Sequence, residues 1–204
     1  WTAYQSRLQY QTYDVTAMLK NGDNAIGAML GDGWYRGFIG FSGQRNFYGE
    51  KLGLRCQLEV TYTNGKTETI NSDPSWKSSN EGPVRWSDIY NGECYDARLE
   101  KTGWTNTGFN DTGWRGVQIL PKPNAALIAP AGPPVKAITT IPAKKVFQTP
   151  RGETVIDFGQ NMVGWIRMNV KGQPGDTVVI HHAEVLDKAG NFYTDNLRAA
   201  KQEI

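Results

Sequence analysis

Hydrophobic positions in this chain recur mostly at every second residue, the spacing of a strand with one covered face. The clearest case is GLRCQLEVTYTNGKTETINS, where Leu54, Cys56, Leu58, Val60 and Tyr62 share one face. Asn64–Gly65 supplies hairpin chemistry, so Lys66–Asn71 is the expected return strand. RLQYQTYDV alternates in the same way, with Leu8, Tyr10 and Thr12 on one side. NAIGAML (24–30) is an unbroken apolar run and predicts a buried strand. Helical spacing is nearly absent. DVTAML (14–19) predicts one short turn of helix capped by Asp14. Towards the end, ETVIDFG (153–159), VGWIRMNVKG (163–172) and DTVVIHHAEVL (176–186) predict three strands. QNM and QPGD separate them, and a further turn falls at Ala189–Gly190.

Two segments break this rhythm. Residues 72–114 are loop-rich yet contain Trp76, Trp86, Trp104 and Trp114, which predicts ordered loops packed down on the body. LPKPNAALIAPAGPPVKAI (120–138) holds five prolines in nineteen residues and reads as a linker or sheet crossover. The expected organisation is therefore all-β: a jelly-roll or galactose-binding-like sandwich over 1–120, a proline-rich linker over 121–140, and the start of a second sandwich over 141–204, incomplete at Ile204.

Composition narrows the function. The chain has 204 residues, 23 glycines and an 11% aromatic fraction, a mix suited to turn-rich sheet or a sugar-binding surface. Net charge is +2 with both signs interspersed, so no nucleic-acid footprint is present. No apolar run approaches the ~20 residues of a membrane span, which predicts a soluble chain. Trp1 is not a natural start, so a longer parent is expected. Cys56 and Cys94 have no pairing pattern and are expected as free thiols. His181 and His182 are adjacent on a strand, point to opposite faces, and are not expected to share a metal.

The candidate chemistry gathers in AMLGDGWYRGFIGF (28–41), with four glycines, four aromatics, one Asp and one Arg. An acid beside aromatics on a bent loop suits a sugar. Rings stack on C–H faces, while carboxylates or a hard cation capture vicinal hydroxyls. Asp32, Trp34, Tyr35 and Arg36 are the candidates. A purely structural reading stands beside it. Trp34 and Tyr35 would pack on a strand pair, Arg36 would bridge to Asp88 or Glu93, and the glycines would form a bulge. A catalytic pair is not expected. The carboxylates Asp32, Asp88, Glu93, Asp96, Asp157, Glu184 and Asp195 cannot be paired from sequence, and Asp96 beside Arg98 reads as an internal ion pair.

The words LQYQTYDVT, GDNAIG, MLGDGWYRG, GPVRWSDIYNGECYDAR and FNDTGWRGV, in that order, resemble the N-terminal β-sandwich of bacterial α-L-rhamnosidases. IPAKKVFQTPRGETVIDFGQNMVGWIRMNVKGQPGD and the residues after it resemble the next domain of that family. The resemblance implies a parent glycoside hydrolase that removes terminal α-L-rhamnose with inversion. Catalysis is implied in an (α/α) toroid downstream of these β domains, which would be the partner of this non-catalytic part. A periplasmic or secreted parent is also implied. Some members use this domain as a calcium-dependent rhamnose-binding module. The matching metal and sugar positions here are Asp32 with backbone oxygens near Asn80 and Pro83. Where those modules carry an amide after the acid, this chain has Gly33, with Glu81 nearby in sequence as a substitute ligand.

Overall fold

The computed structural model describes residues 2–39, 43–201 and 203–204. Trp1, and Gly40 and Phe41 of the 28–41 stretch, lie outside the described residues. The chain is all-β with very little helix. Its strands are β1 (Arg7–Gln9), β2 (Gln57–Thr61), β3 (Thr67–Asn71), β4 (Lys77–Ser78), β5 (Val84–Asp88), β6 (Gly92–Tyr95), β7 (Arg115–Gly116), β8 (Ala126–Ile128), β9 (Lys145–Gln148) and β10 (Thr154–Asp157). One short α-helix, α1, spans Gly33–Arg36, and 3-10 turns cover Thr16–Met18, Ala97–Leu99 and Asp195–Leu197. The chain divides into two units, residues 1–89 with 93–130, and residues 90–92 with 131–204. Among the described residues, no helix is long and apolar enough to cross a membrane.

In the first unit the ladders are short. β1 pairs β8 in parallel, β2 pairs β3 and β4 pairs β7 antiparallel, and β5 pairs β6. The β2–β3 hairpin follows the alternation in its sequence. Leu58 and Val60 are half-buried, while Gln57, Glu59 and Thr61 between them are exposed. Leu58 lies opposite Ile70 and Val60 opposite Glu68. The turn closes through Tyr62 N–H to the Lys66 carbonyl at 2.8 Å and Gly65 N–H to the Tyr62 carbonyl at 2.9 Å. Gly65 sits at φ +80°, a left-handed conformation that a Cβ disfavours. β8 forms inside the proline-rich segment, between Pro123 and Pro130, because Ala126, Leu127 and Ile128 retain the N–H groups that proline lacks.

Three expected strands differ. Residues 24–30 form none, and Ile26, Met29 and Leu30 are 53%, 60% and 46% exposed. Their apolar run finds no ladder partner; it borders an open hollow of about 3020 Å³ together with Leu58, Val60 and Ile70. The hollow is larger than the ~300–1,000 Å³ of a typical small-molecule site, and Asp32, Trp34 and Tyr35 also border it. In the second unit, 163–172 and 176–186 form no ladder among the described residues. Ile180 exchanges backbone bonds with Ile204 at 2.7 and 2.9 Å and Leu186 forms an isolated bridge with Phe192, while Val163 and Trp165 stay exposed. The short turn after Asp14 is 3-10, and Asp14 accepts the Thr16 N–H at 2.9 Å.

Gly65→Ala is expected to cost about 1 kcal/mol, because the turn holds its φ positive. The urea midpoint of the β2–β3 region should fall, and an unchanged midpoint would show that the turn relaxes without strain.

Candidate functional site

Asp32 stands immediately before α1, and its backbone N–H donates to the Ser87 carbonyl of β5 at 3.1 Å. Helix α1 begins at Gly33, whose φ is +51°. Glycine takes this angle without penalty and asparagine tolerates it, so the backbone shape does not depend on an amide side chain here. The expected strand pair at Trp34 and Tyr35 is instead this single helical turn. Arg36 N–H donates to the Asp32 carbonyl at 3.1 Å, and the chain then returns so that Asn46 N–H reaches the Arg36 carbonyl at 2.9 Å.

That return brings Arg45 to Asp32. Arg36 donates through Nε to Asp32 Oδ1 at 2.6 Å, and its Nη2 lies 2.5 Å from the same oxygen. Arg45 Nη2 donates to Oδ2 at 2.9 Å. The Asp32 side chain is only 12% exposed, while the two arginine side chains are 35% and 46% exposed. Both carboxylate oxygens are thus held by guanidinium groups, which is the strong, charge-assisted form of hydrogen bond. Arg36 pairs with Asp32 of its own turn, and the Asp88 carboxylate accepts the Phe38 N–H at 3.1 Å.

Aromatic rings line the same turn. Tyr35 stacks on Tyr48 with centroids 6.4 Å apart, and Tyr4 meets Tyr48 edge-on at 4.8 Å. Phe47 packs against Tyr48 and is 61% exposed. Arg45 lies over the Phe38 ring at 5.7 Å. Trp34 is half-buried within α1. Arg45, Tyr4 and Tyr48 were not singled out by sequence. Arg45 lies thirteen residues from Asp32 with no periodic link to it, and only the return of the chain joins them.

Asn80 and Pro83 are positioned differently. The Asn80 carbonyl accepts from Arg85 Nη1 at 3.3 Å, as does the Gly82 carbonyl at 2.8 Å. The Pro83 carbonyl accepts the Asp96 N–H at 2.8 Å. Neither residue shares a hydrogen bond with Asp32 among the described residues. Glu81 N–H donates to Ser79 Oγ, a local turn bond. Calcium requires six to eight oxygens at ~2.3–2.6 Å. Here one carboxylate is already neutralised by two arginines, and a third arginine sits on the carbonyls. Among the described residues, no three His, Cys, Asp or Glu side chains gather to hold a metal ion. This donor set, as arranged, does not fit calcium.

Two more of the candidate carboxylates serve local structure. Asp96 accepts from Arg98 Nε at 2.8 Å and Nη2 at 2.7 Å, as its sequence neighbour suggested. Those side-chain bonds hold its carboxyl at about 2, below the ordinary 3.8. Asp157 Oδ1 accepts the Gly159 N–H at 2.6 Å. Cys56 and Cys94 are free and half-buried.

Two predictions follow from this geometry. Asp32→Ala leaves Arg36 and Arg45 facing each other without a counter-charge, and is expected to cost about 1–3 kcal/mol. The deficit, read from thermal unfolding, should shrink at high salt; a melting temperature equal to the parent's would mean that the clamp contributes nothing. Asp96 has a depressed folded pKa, so its contribution is complete above about pH 4 and is lost as pH falls towards about 2. Asp96→Asn should therefore flatten the fall in melting temperature across that acid window, which a pH series of thermal melts reads directly.

The likeness to known proteins covers the whole chain. Residues 1–139 match the family described as alpha-L-rhamnosidase N-terminal domain, and residues 147–204 match the bacterial alpha-L-rhamnosidase concanavalin-like domain. An alpha-L-rhamnosidase of Streptomyces avermitilis is 44% identical over 204 residues, covering 98% of this chain and 19% of that protein. One from Formosa agariphila is 38% identical over 206 residues, covering 98% and 22%. The chain spans about a fifth of the length of the curated relatives it matches. The crystal structure of Streptomyces avermitilis alpha-L-rhamnosidase complexed with L-rhamnose superposes at a TM-score of 0.89 with 40% identity, over 100% of this chain and 20% of that one. The native enzyme from Aspergillus terreus gives 0.85 and 44%, over 100% and 23%. The two family regions follow one another along the chain and the all-β architecture agrees with them, so the chain belongs to the bacterial α-L-rhamnosidase family, of which it carries the N-terminal domain and residues of the concanavalin-like domain.

Proposed function

We propose that this chain is the non-catalytic N-terminal part of an α-L-rhamnosidase, a glycoside hydrolase that releases terminal α-L-rhamnose from glycosides or polysaccharides. Its role is to carry and position the catalytic domain of the longer protein. The observation that carries this reading is the state of Asp32. The best candidate acid in the first unit is fully engaged by Arg36 and Arg45, so it acts as a structural counter-ion and neither donates a proton nor chelates a metal. The match of both family regions, in order along one chain, supports the same reading.

A second reading is kept by the rings around that turn. Tyr35, Tyr48 and the exposed Phe47 offer faces on which a sugar stacks, beside the guanidinium edges of Arg36 and Arg45. A working module would use Asp32, Trp34, Tyr35 and Arg36 for rhamnose. Recruiting calcium at Asp32, Asn80 and Pro83 would first require both arginines to leave the carboxylate.

Two measurements on the 204-residue chain test this. An aryl α-L-rhamnoside should not be turned over, and sustained hydrolysis by the purified chain would overturn the scaffold role. Titration calorimetry with L-rhamnose should give the same heat with calcium as with EDTA. Heat that appears only with calcium would instead establish the binding module, with Asp32 at its centre.

A further inference from the structure

Three Asn-Gly pairs occur in the chain: Asn21–Gly22, Asn64–Gly65 and Asn91–Gly92. Such a pair can close on itself. The glycine backbone nitrogen, once deprotonated, attacks the asparagine Cγ, and glycine leaves that nitrogen unshielded because no Cβ stands beside it. In a folded chain the closure depends on whether the glycine N–H is already committed to an acceptor and whether the asparagine side chain is free to swing onto it. The fold treats the three pairs differently.

At Asn64–Gly65 both groups are committed. Gly65 N–H donates to the Tyr62 carbonyl at 2.9 Å, and Asn64 Oδ1 accepts the Lys66 N–H at 3.0 Å. The β2–β3 ladder holds this turn from both sides. At Asn91–Gly92 the pair is packed. Both residues are half-buried, and the Asn91 carbonyl accepts the Glu203 N–H at 3.0 Å. Gly92 is bridged to Glu203 so closely that a Cβ on it would collide with the Glu203 carbonyl oxygen.

Asn21–Gly22 differs in each respect. Residues 20–24 are exposed. Among the described residues, neither the Asn21 side chain nor the Gly22 N–H has a hydrogen-bond partner. Gly22 sits at φ +85°, and the space where a Cβ would stand is open. The base of this loop is nevertheless fastened. Asn24 Oδ1 accepts the Lys20 N–H at 3.1 Å, and Asn24 Nδ2 donates to the Lys20 and Gly22 carbonyls at 2.8 and 2.9 Å. Asn21 and Gly22 are thus the exposed tip of a loop clasped by one side chain.

We infer that Asn21 is a site of spontaneous deamidation, the preferred one of the three pairs, and that its ageing unfastens the Asn24 clasp. The Gly22 nitrogen gives its proton to solvent and bonds to Asn21 Cγ. The Cγ–Nδ2 bond breaks and ammonia leaves. Water then opens the cyclic imide at one of its two carbonyls, which yields aspartate or isoaspartate. Water is the sole co-reactant, and nothing is oxidised or reduced. Either product places a new carboxylate beside Asp23. Isoaspartate also adds a CH2 to the main chain between Lys20 and Asn24, so the Asn24 side chain loses the register that lets it grip both ends.

The test ages the 204-residue chain in mildly alkaline heavy-oxygen water, once folded and once in urea, and maps its peptides by mass spectrometry. In the folded chain Asn21 should lose its amide and take up one heavy oxygen roughly tenfold faster than Asn64, whose two hydrogen bonds must open first, and faster than Asn91. In urea the three rates should converge, because the dipeptide is the same in each. Gly22→Ala should slow the Asn21 reaction severalfold, and the open space at Gly22 accommodates the methyl group. In the aged folded chain the Lys20 amide should exchange with deuterium faster than in the fresh chain. Equal rates at the three sites in the folded chain, or either other site ahead, overturn the assignment to Asn21. An Asn21 rate that Gly22→Ala leaves unchanged overturns the ring-closing route. An unaltered Lys20 exchange rate after ageing overturns the unfastening. None of these outcomes depends on whether the chain binds rhamnose or hydrolyses a rhamnoside.

Discussion

Backbone N–H groups that no strand partner reaches must be satisfied some other way, and in this protein short polar side chains satisfy them. Asp14, Asn64, Asp73, Asp96, Asn110, Asp157 and Asp187 each accept the N–H of the residue two positions on. Each bond replaces a ladder bond with a local turn. Ladders here are two to five residues long, so these turns decide where the chain reverses and hence which strands can meet. Asp96 and Asp157 accept hydrogen bonds from their own neighbours, and that commitment explains their placement.

Asp32 extends the principle from a local turn to a long-range one. Its backbone is anchored on β5, and its carboxylate joins Arg36 of its own turn to Arg45 of the returning chain. Helix α1 and the 43–48 segment are thereby fixed as one piece, with Tyr35 and Tyr48 stacked between them. A divalent cation bound through carboxylate and carbonyl oxygens would organise such a loop by charge. Guanidinium groups hold this loop with directional N–H donors.

In the second unit the same donors and acceptors are arranged more deeply. Thr149 and Asn191 are buried and hydrogen-bonded, so the turn between β9 and β10 and the turn at 187–191 behave as one rigid surface. Elsewhere in that unit the apolar residues Val163 and Trp165 are exposed. The contrast separates a polar surface closed by side-chain bonds from an apolar one that has no ladder among the described residues.

The sequence by itself determined the class of the fold, because alternation and turn chemistry are local. The β2–β3 hairpin, the Asn64–Gly65 turn, the reversal at Ala189–Gly190 and the Asp96–Arg98 pair all involve residues close in the chain, and each is readable without coordinates. The family words were readable for the same reason, as they are contiguous. Apolar character alone misplaced 24–30, 163–172 and 176–186, since a strand also needs a partner for its backbone and hydrophobicity does not name one. The site was decided only in three dimensions. Nothing in the spacing of Asp32, Arg36 and Arg45 announces that both arginines converge on one carboxylate. Those encounters depend on how the chain returns, and hydrogen bonds between residues far apart in sequence fix that return.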